Sequence, residues 1–243
     1  MCFDTDSEPP VPRIAGAAVS HDDLTLTAAD GTAFAAFLAT PDEPGATGVV
    51  VLPDVRGLYH FYEELALRFA ERGHVAIAID YFGRTAGVEK RDDDFEYRPH
   101  VDQTTPQGVM ADTNAAAERL KELGATSLFT VGFCFGGSNS WLAAADVPGL
   151  KGAVGFYGRP SRMLDRVPDI AAPVLALQAG ADQHITAEHN AEFEQALAAA
   201  GVEHELVTYD GAPHSFFDRK QDEFQAASDD AWQRVLAFVE RYG

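Results

Sequence analysis

Along the chain, short apolar and β-branched runs alternate with longer stretches whose apolar positions recur at helical spacing. The first pattern reads as buried strand and the second as amphipathic helix. Leu24 to Thr27 and Thr32 to Leu38 flank Ala-Ala-Asp-Gly at 28–31, a turn signal, and predict an antiparallel hairpin. Gly48 to Leu52 and His74 to Tyr81 read as strands, and between them Tyr62, Leu65, Ala66, Phe69 and Ala70 mark one helical face closed by Gly73. Val109 to Leu123 reads as a helix ending at Gly124. Leu128 to Phe133 is a strand, and a helix over Ser138 to Ala145 begins directly after glycines. Lys151 to Tyr157, Pro173 to Ala179 and Glu205 to Tyr209 complete the strands, with helices over Ala187 to Ala200 and Phe224 to Tyr242. Residues 83–104 show neither period and read as a long loop with the composition of a lid.

Strand and helix alternate from Gly48 onward, which predicts an α/β fold: a mostly parallel sheet with helices on both faces and antiparallel edge strands from the hairpin. Residues 1–12 read as a flexible leader and 13–243 as one domain, with no internal repeat or linker. The length of 243 residues and a hydrophobic fraction of 46% suit such a domain.

The charge narrows the partners. With 38 acidic against 18 basic residues the formal charge is −20, which repels polyanions and leaves no basic footprint for nucleic acid. Apolar runs such as Val75 to Ile79 and Val174 to Leu177 are far shorter than the roughly 20 residues that span a bilayer, so no membrane partner is expected. Asp4, Asp6 and Glu8 stand where a signal peptide needs basic residues before an apolar stretch, which points to the cytoplasm. In that reducing compartment Cys2 and Cys134 are expected to stay unbridged, leaving Cys134 a free thiol. A monomer or weak dimer is expected.

The candidate chemistry begins at Gly132-Phe-Cys-Phe-Gly136, on a strand-to-helix junction. Glycines around a cysteine are common by chance. At this junction, however, the spacing matches a nucleophile elbow with Cys134 in place of serine, a strained turn whose following helix N-terminus favours thiolate. An orienting acid and a histidine base should follow in that order, each past the carboxyl end of a strand. Asp182 follows Pro173 to Ala179, and His214 follows Glu205 to Tyr209 in Gly-Ala-Pro-His-Ser-Phe. Taken singly, Asp182 reads as a turn residue and His214 as a surface loop histidine; order and placement together favour a triad. A metal site using His184, His189 and His214 is disfavoured by their spacing and by the lack of a nearby cysteine, and neither metal nor cofactor is expected. The backbone amides of Phe135 and Val55 fit the positions of oxyanion donors.

Val50-Val-Leu-Pro-Asp-Val-Arg-Gly57, Ala78-Ile-Asp-Tyr-Phe-Gly-Arg84, Gly132-Phe-Cys-Phe-Gly-Gly137, Gly180-Ala-Asp182 and His214-Ser-Phe216 together resemble the dienelactone hydrolases, or carboxymethylenebutenolidases, within the α/β-hydrolase superfamily. The resemblance spans roughly residues 20–240. It implies Cys134 as nucleophile, His214 as base, Asp182 as its orienting acid, and the opening of an unsaturated enol lactone. It also implies a carboxylate that meets the cysteine from the loop after the early strand; the family's glutamate is here Asp54. The family's substrate is anionic and is held by two arginines, to which Arg84 and, one position late, Arg219 correspond, with Arg56 as an additional cation. The same residues admit a general carboxylesterase or thioesterase. A non-catalytic ligand receptor or redox-sensing thiol protein is the reading from another class.

Overall fold

The computed structural model describes residues 7–92, 94–218 and 222–243. Eight strands form one sheet in the order β1-β2-β4-β3-β5-β6-β7-β8. They are β1 (Val19–Thr27), β2 (Ala33–Pro41), β3 (Thr47–Leu52), β4 (Val75–Ile79), β5 (Ser127–Phe133), β6 (Leu150–Phe156), β7 (Val174–Ala179) and β8 (His204–Tyr209). The β1–β2 hairpin is antiparallel, with Leu26 opposite Phe34, and β2 continues antiparallel onto β4. All later pairings are parallel. The predicted architecture is therefore observed, with one refinement. Of the two hairpin strands only β1 is an edge; β2 pairs on both sides, which is why its residues are almost all buried.

Alternate side chains of each central strand feed two cores. Val49, Val51, Phe129, Val131 and Phe133 face α1 (His60–Ala70) and α7 (Gln225–Tyr242). Val50, Leu52 and Leu128 face α4 (Pro106–Glu122), α5 (Phe135–Asp146) and α6 (Ala187–Ala199). Two one-turn helices, α2 (Gly83–Ala86) and α3 (Arg98–Val101), interrupt the segment read as a loop. Phe95 stacks on His100, and the Arg91 guanidinium binds the buried Asp80 carboxylate at 2.8 Å, so the described part of this segment is packed down onto the fold. Of the N-terminal segment, residues 1–6 lie outside the description, while Pro9, Pro10 and Val11 are buried. Among the described residues no helix is long and apolar enough to cross a membrane.

Two helix starts differ from the sequence reading. The helix α4 begins at Pro106 because Thr105 caps it, its hydroxyl accepting from the Gly108 amide at 3.1 Å, and proline suits the first turn. The helix α5 begins at Phe135, so Gly136 and Gly137 lie in its first turn rather than ahead of it. The reason is steric. A Cβ at Gly136 would stand 2.0 Å from the Leu52 carbonyl oxygen, and one at Gly132 would stand 2.0 Å from that of Gly136. The chain can turn from β5 into α5 against the end of β3 only without those side chains.

Gly136→Ala is accordingly expected to lower stability by about 2 kcal/mol or more, since the clash is with backbone and overpacking of this kind is costly. Urea denaturation reads it directly, and a midpoint equal to wild type would contradict the close-approach argument.

Candidate active site

Parallel register brings the carboxyl ends of five strands to one edge. Leu52 pairs with Gly132, Phe133 with Phe156, Phe156 with Leu177, and Ala179 with Tyr209. Asp54, Val55, Cys134, Tyr157, Asp182 and His214 all lie just beyond those ends. Of these, Val55, Cys134, Tyr157 and His214 line a cleft of about 430 Å³, together with Phe135.

Cys134 has φ 54° and ψ −109°, a conformation disfavoured for any residue with a Cβ. It is held there by its amide, which donates to the Phe156 carbonyl at 3.0 Å, and by its carbonyl, which accepts from the Ser138 amide at 3.3 Å. The thiol is half-buried, at the N-terminus of α5, and makes no disulfide among the described residues. The Phe135 amide is the first of the helix and has no partner within it.

The His214 ring is gripped on two sides. Its Nδ1 lies 2.5 Å from Asp182 Oδ2, and its face packs on the Tyr157 ring with centroids 5.0 Å apart. An ionised carboxylate only accepts, so this contact makes Nδ1 the protonated nitrogen and leaves the lone pair on Nε2. Asp182 Oδ1 accepts from the amides of His184 at 2.8 Å and Ile185 at 3.2 Å. Burial raises the Asp182 pKa, but the bonds from His214 and these two amides outweigh it and hold the carboxyl below its ordinary range. The β7 and β8 loops are themselves tied: Gly180 donates to Tyr209 at 2.8 Å and Ala181 to Ala212 at 2.9 Å, which fixes the acid relative to the imidazole.

Asp54 is fully buried. Its Oδ1 accepts from the Arg56 amide at 2.8 Å, and its own amide donates to the Tyr62 hydroxyl at 3.1 Å, so it shapes the turn that carries Val55 into the cleft. Behind His214 lies Asp218, also fully buried. Burial and the charge of Asp54 push its carboxyl well above the usual range, against the pull of His214 and Tyr157.

Of the expected cations, Arg84 and Arg56 are not brought to the cleft. The Arg84 guanidinium is held by Asp112 at 2.7 Å and Asp30 at 2.8 Å, and it borders a separate small pocket. Arg56 lies over the Tyr59 ring at 4.6 Å and does not line the cleft. Arg219 falls outside the described residues. No described residue of 83–104 lines the cleft, so the described part of that segment is not its cover. His184 does line it, whereas His189 is engaged in capping α6, its Nδ1 accepting from the Thr186 amide at 3.1 Å. Among the described residues no three ligating side chains are grouped to hold a metal ion.

Tyr157, Arg159, Arg162 and Asp218 were not reached from the sequence. Tyr157 ends the strand read at Lys151 to Tyr157 and Arg159 and Arg162 follow it, and the strand-edge rule that selects Asp182 and His214 would have selected Tyr157 and Arg159 had it been applied there.

The dienelactone hydrolase family profile matches residues 34–243. A carboxymethylenebutenolidase of Rhodococcus opacus is 30% identical over 100% of this chain and 97% of its own length. A Yersinia pestis protein with the provisional name carboxymethylenebutenolidase is 31% identical over 92% of this chain and 89% of its own. The crystal structure of a provisionally assigned dienelactone hydrolase from Klebsiella pneumoniae superimposes with TM-score 0.81 at 30% identity, covering 93% of this chain and 100% of that one. With the sheet order, the strand-edge cleft and these matches in agreement, the chain belongs to the dienelactone hydrolase family of α/β-hydrolases.

Proposed function

We propose that this hydrolase opens an activated cyclic ester, an enol lactone of the dienelactone kind, through a covalent thioester on Cys134. The observation that carries the reading is Cys134 at positive φ on the β5–α5 turn, in one cleft with a histidine bound to a buried aspartate. His214 Nε2 takes the thiol proton and Sγ bonds to the lactone carbonyl carbon. The carbonyl oxygen, now carrying the electron pair, is received by the amides of Phe135 and Val55. Collapse breaks the ring C–O bond, and the enolate leaves while still tethered to the acyl group, taking the proton from His214. Water then attacks the thioester carbonyl with His214 as base, the C–S bond breaks, and the thiol regains its proton. Asp182, held anionic, keeps Nδ1 protonated and steadies the imidazolium in both halves.

An enolate suits a sulfur nucleophile. A thiolate leaves a tetrahedral intermediate more readily than an alkoxide does, so an alkyl ester partitions back to substrate, whereas a stabilised enolate competes as leaving group. The substrate is proposed to be small and anionic, as the arginines described below support. Asp54 is assigned the positioning of the Val55 turn, through its bond to the Arg56 amide.

Steady-state hydrolysis of a dienelactone beside p-nitrophenyl acetate tests the reading. Cys134→Ala should lose at least roughly 10⁴-fold in kcat/KM on both while keeping the wild-type melting curve. Efficient ester turnover with negligible lactone opening would replace the lactone by another acyl substrate, and full activity of Cys134→Ala would refute the covalent route.

Asp182→Asn should lose about 10³-fold in kcat/KM, because an amide can present its N–H and turn the imidazole to the wrong tautomer. It should also flatten the acid side of the stability curve. The native Asp182 pKa lies below its unfolded value, so its contribution is complete above the ordinary carboxylate range and is lost as pH falls through the native value. Urea midpoints measured from pH 7 down to pH 3 check this, and equal slopes for wild type and variant would contradict it.

A further inference from the structure

Arg159 and Arg162 line the cleft beside Cys134 and Phe135, and the mechanism above does not use them. The cleft lining includes these two arginines and two histidines but no carboxylate, in a chain of formal charge −20. Several other arginines are matched by acids: Arg84 by Asp30 and Asp112, Arg91 by Asp80, Arg166 by Asp146 and Asp169. Among the described residues no carboxylate lies within ion-pair distance of Arg159 or Arg162, and both side chains are exposed to the cleft solvent.

Their placement is built from the backbone. The Arg159 amide donates to Ser138 Oγ at 2.8 Å, on the first turns of α5, and the Gly158 carbonyl accepts from the buried Gln178 amide at 3.0 Å. Gly158 lets this loop lie on the helix start, since a Cβ there would stand 2.8 Å from the Gly137 carbonyl carbon and the Ser138 nitrogen. Pro160 opens a single 3-10 turn over Pro160–Arg162, closed by the Arg162 amide donating to the Arg159 carbonyl at 3.2 Å. The extended Arg159 and the closing residue Arg162 of this turn both reach the cleft. The Arg162 guanidinium carbon lies 4.7 Å over the ring of Phe135, the residue whose amide follows the cysteine. Burial, and then the charge of Arg159, hold Arg162 below its ordinary pKa, while negative charge at Cys134 acts in the opposite sense. The two cations and the thiol thus share one electrostatic environment, and in a concave site the local field is set by such a pair rather than by the net charge.

We propose that Arg159 and Arg162, on the turn after β6, form the subsite that binds the substrate's carboxylate and sets the preference for anionic over neutral acyl substrates. Arg84, neutralised by its two aspartates, takes no part. The site differs from the one expected after β4 in that it reaches the reacting carbon from the β6 side, against Phe135. The proposal deepens the hydrolase reading and rests on it for the identity of the substrate, but the binding of an anion beside Cys134 does not require turnover.

Two measurements keep those dependences apart. The first is alkylation of Cys134 by iodoacetate and by iodoacetamide, followed by mass spectrometry of the peptide that carries it. The charged reagent should gain relative to the neutral one in wild type, and the rate ratio should fall at least tenfold in the Arg159→Gln/Arg162→Gln double variant and stay at the wild-type value in Arg84→Gln. The second is the ratio of kcat/KM for mono-p-nitrophenyl succinate over p-nitrophenyl acetate, which should fall at least tenfold in the same double variant through a rise in KM for the anionic ester. Unchanged ratios in a double variant with a wild-type melting curve, or a fall in Arg84→Gln instead, would overturn the subsite. If wild type turns over neither these esters nor the dienelactone, the hydrolase reading fails while the alkylation ratio still decides the subsite.

Discussion

The close approach of three backbones beneath Cys134 is the constraint on which the site depends. The carbonyl end of β3, the last residues of β5 and the first turn of α5 meet where Gly132 and Gly136 stand, and at each of them a Cβ would overlap a carbonyl oxygen. That proximity forces the intervening cysteine to positive φ, and the Phe156 carbonyl fixes it there by accepting its amide. The thiol is thereby lifted above the sheet edge at a helix N-terminus, where the helix dipole favours negative charge. The strain is sustained because it is distributed over a core packed on both faces of the sheet, with Phe133 stacked on Phe156 at 4.6 Å directly below.

The second half of the site is electrostatic. Asp182 is buried yet kept ionised by two amides and the imidazole N–H, so its charge is specified by the loop rather than by solvent. Asp218 is fully buried and near the charge of Asp54, and both push its carboxyl well above the usual range against the pull of His214 and Tyr157. The two aspartates near His214 are therefore shifted in opposite directions, and the difference follows from the donors and charges each one meets. On the other wall two arginines without acidic partners give a strongly acidic protein a locally cationic pocket.

Much of this was legible in the sequence, for physical reasons. Period-two and period-3.6 patterns report burial on the two sheet faces, so every strand from β3 to β8 was found to within about two residues at each end. The placement of Cys134 on the β5–α5 turn and of Asp182 against His214 was legible because the fold fixes their order and puts each past a strand end. What escaped depends on contacts distant in sequence. Arg84 stands where a substrate cation was expected, but Asp112, on the buried face of α4, neutralises it, and no local pattern announces that pairing. Arg159 and Arg162 sit on an irregular turn whose register against α5 is set by Ser138 and Gly158, again a tertiary matter. The start of α5 was placed late because glycine reads as a helix breaker, whereas here tertiary packing demands it.

The central claim is that acyl transfer passes through sulfur at Cys134. Mixing wild-type protein with p-nitrophenyl acetate, quenching in acid during the first turnovers and mapping the modified peptide tests this most directly. The account predicts a burst of p-nitrophenolate close to one equivalent per chain, with one acetyl group on Cys134 that disappears as hydrolysis proceeds. Continued product formation with no burst and no acetyl on Cys134, or an acetyl group turning over on another residue, would contradict it.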